Sequence, residues 1–94
     1  MDQEKCENIA GVLKILSHPH RLYILCCLID AEKTVSEIVS LCGISQSMVS
    51  QHLSRMRLEQ IVVARKSGNH VYYQIKDISI VDLIVFLKNQ FCSE

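Results

Sequence analysis

The sequence predicts a mainly α fold carrying a two-stranded β-wing, a winged helix-turn-helix of order α-α-α-α-β-β-α that pairs as a dimer. Three observations predict it. Between residues 34 and 59 two capped helical segments flank a glycine-containing turn. After residue 60 the spacing of apolar residues changes from 3.6 to 2, as expected of a short hairpin. The last segment, from 80 to 91, is apolar nearly all round, more than one buried face needs.

Each element follows from local chemistry. Residues 6 to 16 place Ile9, Leu13 and Leu16 at helical spacing and predict a first helix. Ser17-His18-Pro19 stops it, and Pro19 suits the first turn of a second helix running to about Asp30, with Leu22, Leu25, Cys26 and Ile29 on one face. Thr34 followed by Glu37 is a capping-box pattern, so a short helix is expected from Val35 to Leu41. Gly43 fits the left-handed position after it. Ser45 caps a fourth helix reaching about Glu59. Ile61–Lys66 and His70–Lys76 read as strands joined through Ser67-Gly68-Asn69, with Val71, Tyr73 and Ile75 sharing a face. Ser79 is expected to cap the last helix, Ile80 to Phe91.

Size and composition exclude several classes. The 94 residues allow one domain, 1–94. With 49% hydrophobic and 21% charged residues the chain is globular, not disordered. Its longest uninterrupted apolar run, Leu22 to Ile29, is far too short for a membrane span, and the polar start Met1-Asp2-Gln3-Glu4-Lys5 is no signal peptide. A soluble, cytoplasmic protein with no membrane partner is expected. Five cysteines, an odd number with no Cys-x-x-Cys, argue against a secreted disulfide framework, a zinc ribbon or a thioredoxin motif. Cys42 is expected to be a small buried apolar residue. No nucleophile–base–orienter set or phosphate loop is present, and so small a chain offers no obvious pocket. Neither an enzyme nor a resident cofactor is expected.

The fourth helix is the most informative segment. Val49, His52, Leu53 and Met56 form its apolar face at i, i+3, i+4 and i+7, and His52 is expected there as a hydrogen-bonded interior histidine. The opposite side carries Ser47, Ser50, Gln51 and Ser54, a polar but uncharged ridge. A merely solvated face usually carries Lys and Glu, because serine is a mediocre helix former. Short hydroxyl and amide side chains instead let a helix lie deep in a major groove and reach base edges. Residues 45 to 76 carry a net charge of +4 within a chain of net charge zero, the local footprint that phosphate contact requires. The candidate DNA-contacting residues are therefore Gln46, Ser47, Ser50, Gln51, Ser54 and Arg55 on the helix, with Arg65 and Lys66 on the wing. A two-fold dimer would present two such helices to successive grooves of a pseudo-palindromic duplex operator. His18 and His20 flank Pro19, but no cysteine or carboxylate at matching helical spacing completes a metal site, so none is expected.

Two runs carry a resemblance. Ile15-Leu16-Ser17-His18-Pro19-His20-Arg21-Leu22-Tyr23-Ile24-Leu25 resembles the N-terminal signature of the ArsR/SmtB family of dimeric winged-helix regulators. Ile44-Ser45-Gln46-Ser47-Met48-Val49-Ser50-Gln51-His52-Leu53, followed by Leu58 through Ile75, resembles that family's recognition segment. The similarity spans roughly residues 9 to 92. It implies a homodimer built from the first and last helices, acting as a repressor released when a signal is sensed. It also separates the sensing types. The Cys-x-Cys pair of arsenic, cadmium or lead sensors is replaced here by Thr34 and Ser36. The carboxylate and histidine site of zinc or nickel sensors would have only Asp77, Asp82 and Glu94 on or beside the last helix. Cys26 in the second helix and Cys92 at the end of the last are instead placed as in the reactive-sulfur and redox sensors of the HlyU, BigR and SqrR type. That similarity implies a switch in which Cys26 and Cys92 become joined by a disulfide or a longer sulfur bridge. Cys27, about 100° further round the helix, is a poorer partner for the same target, and Cys6 is an alternative one. The competing expectation is a metal-responsive repressor using a set such as His18, His20 and Cys92.

Overall fold

A computed structural model describes residues 1–92; Glu94 lies outside the described residues. It comprises α1 (Gln3–Leu16), α2 (Pro19–Cys27), α3 (Val35–Cys42), α4 (Gln46–Leu58), β1 (Val62–Ser67), β2 (His70–Ile75) and α5 (Ile78–Phe91). The order is the one the sequence predicts.

Caps set most of the boundaries. The Asp2 carboxylate accepts the Lys5 N–H at 2.8 Å, so α1 begins at Gln3, earlier than its apolar spacing announces. Pro19 opens α2, and His18 Nδ1 accepts the His20 N–H at 3.1 Å. Thr34 and Glu37 close the expected reciprocal capping box. Gly43 takes φ 71°, the left-handed conformation that releases the chain after α3. Ser45 Oγ accepts the Met48 N–H and starts α4.

Other boundaries also differ from expectation, the two strands by one residue at an end. Helix α2 stops at Cys27 rather than Asp30, because the chain must turn early enough for Lys33 to exchange two backbone hydrogen bonds with Tyr73 of β2, at 2.8 and 3.0 Å. Helix α4 ends in a Schellman arrangement: Ile61 N–H donates to Met56 O and Gln60 N–H to Arg57 O. Gln60 holds φ 60°, a conformation costlier for a side-chain-bearing residue than for glycine. Helix α5 begins after Asp77 instead of Ser79, and the Asp77 side chain makes no capping bond.

β1 and β2 pair antiparallel from Val62↔Ile75 to Ser67↔His70, leaving Gly68 and Asn69 as a two-residue turn with Gly68 at φ 60°. The core lies where α2, α3 and α4 meet, built on Ile24, Leu25, Ile38, Val49, Leu53 and Met56, all fully buried. Ile75 and Ile84 bring β2 and α5 onto the same cluster. Of the strand face expected to be apolar, Ile75 is buried and Tyr73 half-buried, while Val71 runs beyond the core into solvent.

Candidate DNA interface and cysteine groove

Burying Val49, Leu53 and Met56 fixes the rotation of α4. Gln46, Ser47, Gln51, Ser54 and Arg55 are exposed as a result, and Ser50 is half-buried. The exposed ridge holds no carboxylate until Glu59, which lies one turn beyond Arg55 and pairs with it at 3.5 Å. An exposed pair of that kind is weak and can be exchanged for a phosphate.

The two wing residues differ. Lys66 is exposed, and no ion pair involves it among the described residues. Arg65 is held: its Nε and Nη2 both bond the Glu32 carboxylate, and its guanidinium lies 5.0 Å from the centre of the Tyr72 ring. Bonding to Arg65 in turn holds the Glu32 carboxyl below its ordinary range. Thirty-three residues separate the pair, so local pattern could not announce it. Glu32→Gln is expected to free Arg65 for phosphate contact. The log–log salt dependence of DNA binding should then steepen by about one unit. An unchanged slope in a salt titration would show that Arg65 does not face the duplex.

His52 is not hydrogen-bonded as expected. Its Nε2 is buried and partnerless among the described residues, as is His20 Nδ1. His52 instead stacks with His18 and His20, at ring separations of 4.7 and 5.9 Å. One ring nitrogen from each of the three lies within 4.8 Å of the others. Burial, then the neighbouring His18, Arg21 and His20, pushes the His52 pKa down, toward the neutral form a metal ligand needs. Cys92 is not part of this group.

Contrary to the expectation that so small a chain has no pocket, an open, largely apolar groove of about 1050 Å³ runs between α2 and α5. Cys26, Cys27, Cys42 and Cys92 all line it, with Leu22, Phe91 and others. Cys26 and Cys92 are exposed. Burial by the groove wall, then the Cys27 neighbour, raises the Cys26 thiol; Lys88 opposes this and Cys92 adds to it. Cys42 is half-buried rather than enclosed, and its Sγ lies 2.9 Å from Cys27 Sγ. Adjacent positions thus diverge: Cys26 faces the end of α5 and Cys27 faces α3. Cys6 is exposed on α1 and does not line the groove.

Residues 18–62 match the model of the bacterial regulatory proteins of the arsR family. A curated relative, the HTH-type transcriptional regulator YgaV of Escherichia coli, is 38% identical over 91 residues, covering 96% of this chain and 92% of that protein. The chain belongs to the arsR family. A second relative, the biofilm growth-associated repressor of Xylella fastidiosa, is 35% identical over 94 residues, covering 99% of this chain and 82% of its own length. The solved structure of reduced HlyU from Vibrio cholerae superposes with a TM-score of 0.89 at 32% identity, covering 97% of this chain and 96% of that one. This arsR-family chain is accordingly a DNA-binding winged helix-turn-helix transcription regulator, and not an enzyme. No helix among the described residues is long and apolar enough to cross a membrane.

Proposed function

We propose that the chain is a homodimeric repressor. Its two copies of α4 lie in successive major grooves of a pseudo-palindromic operator, and joining Cys26 to Cys92 alters its affinity. The observation that carries the DNA reading is the uncharged ridge of exposed Gln46, Ser47, Gln51 and Ser54 and half-buried Ser50 opposite a fully buried face, with Arg55, Arg65 and Lys66 beside it. The dimer is supported by apolar side chains left in water on α1 (Ile9, Leu13) and α5 (Ile78, Phe86, Phe91), the two helices a partner copy would cover.

The switch is supported by the shared groove. Cys26 and Cys92 line one apolar cleft that a persulfide or polysulfide can enter. In the step proposed, two thiols lose two protons and two electrons to a polysulfide, which leaves as a shorter chain and hydrogen sulfide. The bridge ties α2, at the edge of the helix-turn-helix, to α5, on the dimer face. Treating reduced protein with polysulfide is expected to weaken operator binding tenfold or more, while Cys92→Ser does not respond. A Cys92→Ser protein that still releases DNA would refute the pairing; unchanged affinity of the wild type would refute the switch.

A second reading, metal response, is favoured by one observation, the clustered nitrogens of His18, His20 and His52. Three imidazoles with a water as fourth ligand make a zinc site. Reduced protein is then expected to bind one zinc ion per chain by competition with a chromophoric chelator, and His52→Gln is expected to lose it. No zinc uptake by the reduced wild type removes this reading.

A further inference from the structure

We propose that Cys27 and Cys42 are a second thiol site, distinct from Cys26 and Cys92, which closes to a disulfide between α2 and α3 when a small-molecule disulfide enters the groove. The two Sγ atoms lie 2.9 Å apart, on residues at the C-terminal ends of two different helices. A disulfide bond measures about 2.05 Å, so about 0.9 Å of approach closes it. Neither sulfur is sealed in the core. Both are half-buried and line the groove, which leaves a path for a reagent. The site uses neither thiol of the proposed switch, so it stands or falls independently of that reading.

The chemistry balances. Burial and the contact with Cys27 push the Cys42 thiol up to about 12, so Cys42 keeps its proton and Cys27 makes the first attack. The Cys27 thiolate attacks one sulfur of the small disulfide. One small thiolate leaves, takes a proton, and a mixed disulfide remains on Cys27. The Cys42 proton passes to the departing group as its sulfur attacks Cys27 Sγ, expelling the second small thiol. Two protein thiols are oxidised, and one disulfide is reduced to two thiols. The mixed disulfide therefore forms on Cys27, and Cys42 resolves it.

The bridge would bind the end of α2 to the end of α3, immediately before the Gly43 turn that aims α4. It constrains the unfolded chain more than the native one, so oxidation should raise the melting temperature, by on the order of 10 °C for a loop of about 15 residues.

Tryptic mapping after treatment with oxidised glutathione tests the proposal. Cleavage after Arg21, Lys33, Arg55 and Lys88 puts Cys26 and Cys27 in peptide 22–33, Cys42 in 34–55 and Cys92 in 89–94. A link of 22–33 to 34–55 in wild-type protein is expected from this site, whereas a link of 22–33 to 89–94 reports the Cys26–Cys92 pair. In a Cys26→Ser/Cys92→Ser variant, three thiols remain, and two are expected to disappear as the 22–33 to 34–55 link forms, leaving Cys6. Persistence of all three thiols, or glutathione adducts that never resolve into that link, overturns the proposal. So does a 22–33 to 34–55 link that survives Cys27→Ser. Should the double variant fail to fold, the wild-type map read beside that of Cys27→Ser decides, because the link must form in the first and vanish in the second.

Discussion

Truncating Leu53 to alanine is expected to cost about 2–5 kcal/mol of folding stability, the largest effect of any substitution on α4. Leu53 is fully buried, and Val49 and Met56 beside it on the same helix face are fully buried too, so nothing flexible borders the hole the missing carbons leave. A domain of this size has only about 5–15 kcal/mol in hand. Such a loss moves the urea midpoint far to the left at an unchanged slope, the signature of a stability change without a change in exposed surface. Because the same face sets the rotation of α4, the surviving folded fraction should also bind DNA less well than its population predicts. A loss below about 1 kcal/mol would mean that α4 is not seated on the core.

Replacing Ser47 and Gln51 together by alanine is expected to weaken binding to a specific operator by roughly 10- to 100-fold, while leaving binding to random duplex within about twofold. A well-formed bidentate side-chain contact to a base discriminates by about 1–3 kcal/mol, and alanine keeps the helix while removing the reaching groups. Both side chains are exposed and unneeded by the core, so the folded state should be unperturbed. Phosphate contacts from Arg55 and Lys66 remain, which preserves the salt-dependent component. Gel-shift titrations against operator and scrambled DNA at two salt concentrations separate the two. Equal loss on both DNAs would assign these residues to backbone contact and not to base reading.

Much of the fold was legible because its signals are local. Thr34 and Glu37 announce a helix start, Gly43 and Ser45 a turn and a second start, and Gly68 a hairpin; each carries its own chemistry and needs no partner far away. The rotation of α4 was legible for the same reason, since Val49, Leu53 and Met56 can share only one face. Long-range pairing was not legible. Glu32 meets Arg65 only because the hairpin folds back beside the α2–α3 turn, and that same contact, through Lys33 and Tyr73, shortens α2. The place of His52 on the apolar face of α4 predicts a hydrogen-bonded interior histidine, but its neighbours His18 and His20 come from another helix start. Cys42 and Cys27 each look like small apolar fillers in sequence, and only the approach of α2 to α3 makes them a pair.

The two backbone bonds between Lys33 and Tyr73 have a mechanical consequence. Side chains can swing, but a backbone ladder, even of one rung pair, does not shear without breaking. The hairpin is thereby fastened to the loop that leads from α2 into α3 and the helix-turn-helix. In the proposed switch, a bridge formed at α5 would then move the wing and the helix-turn-helix as one body, and the DNA contacts proposed for the two would be made together and lost together.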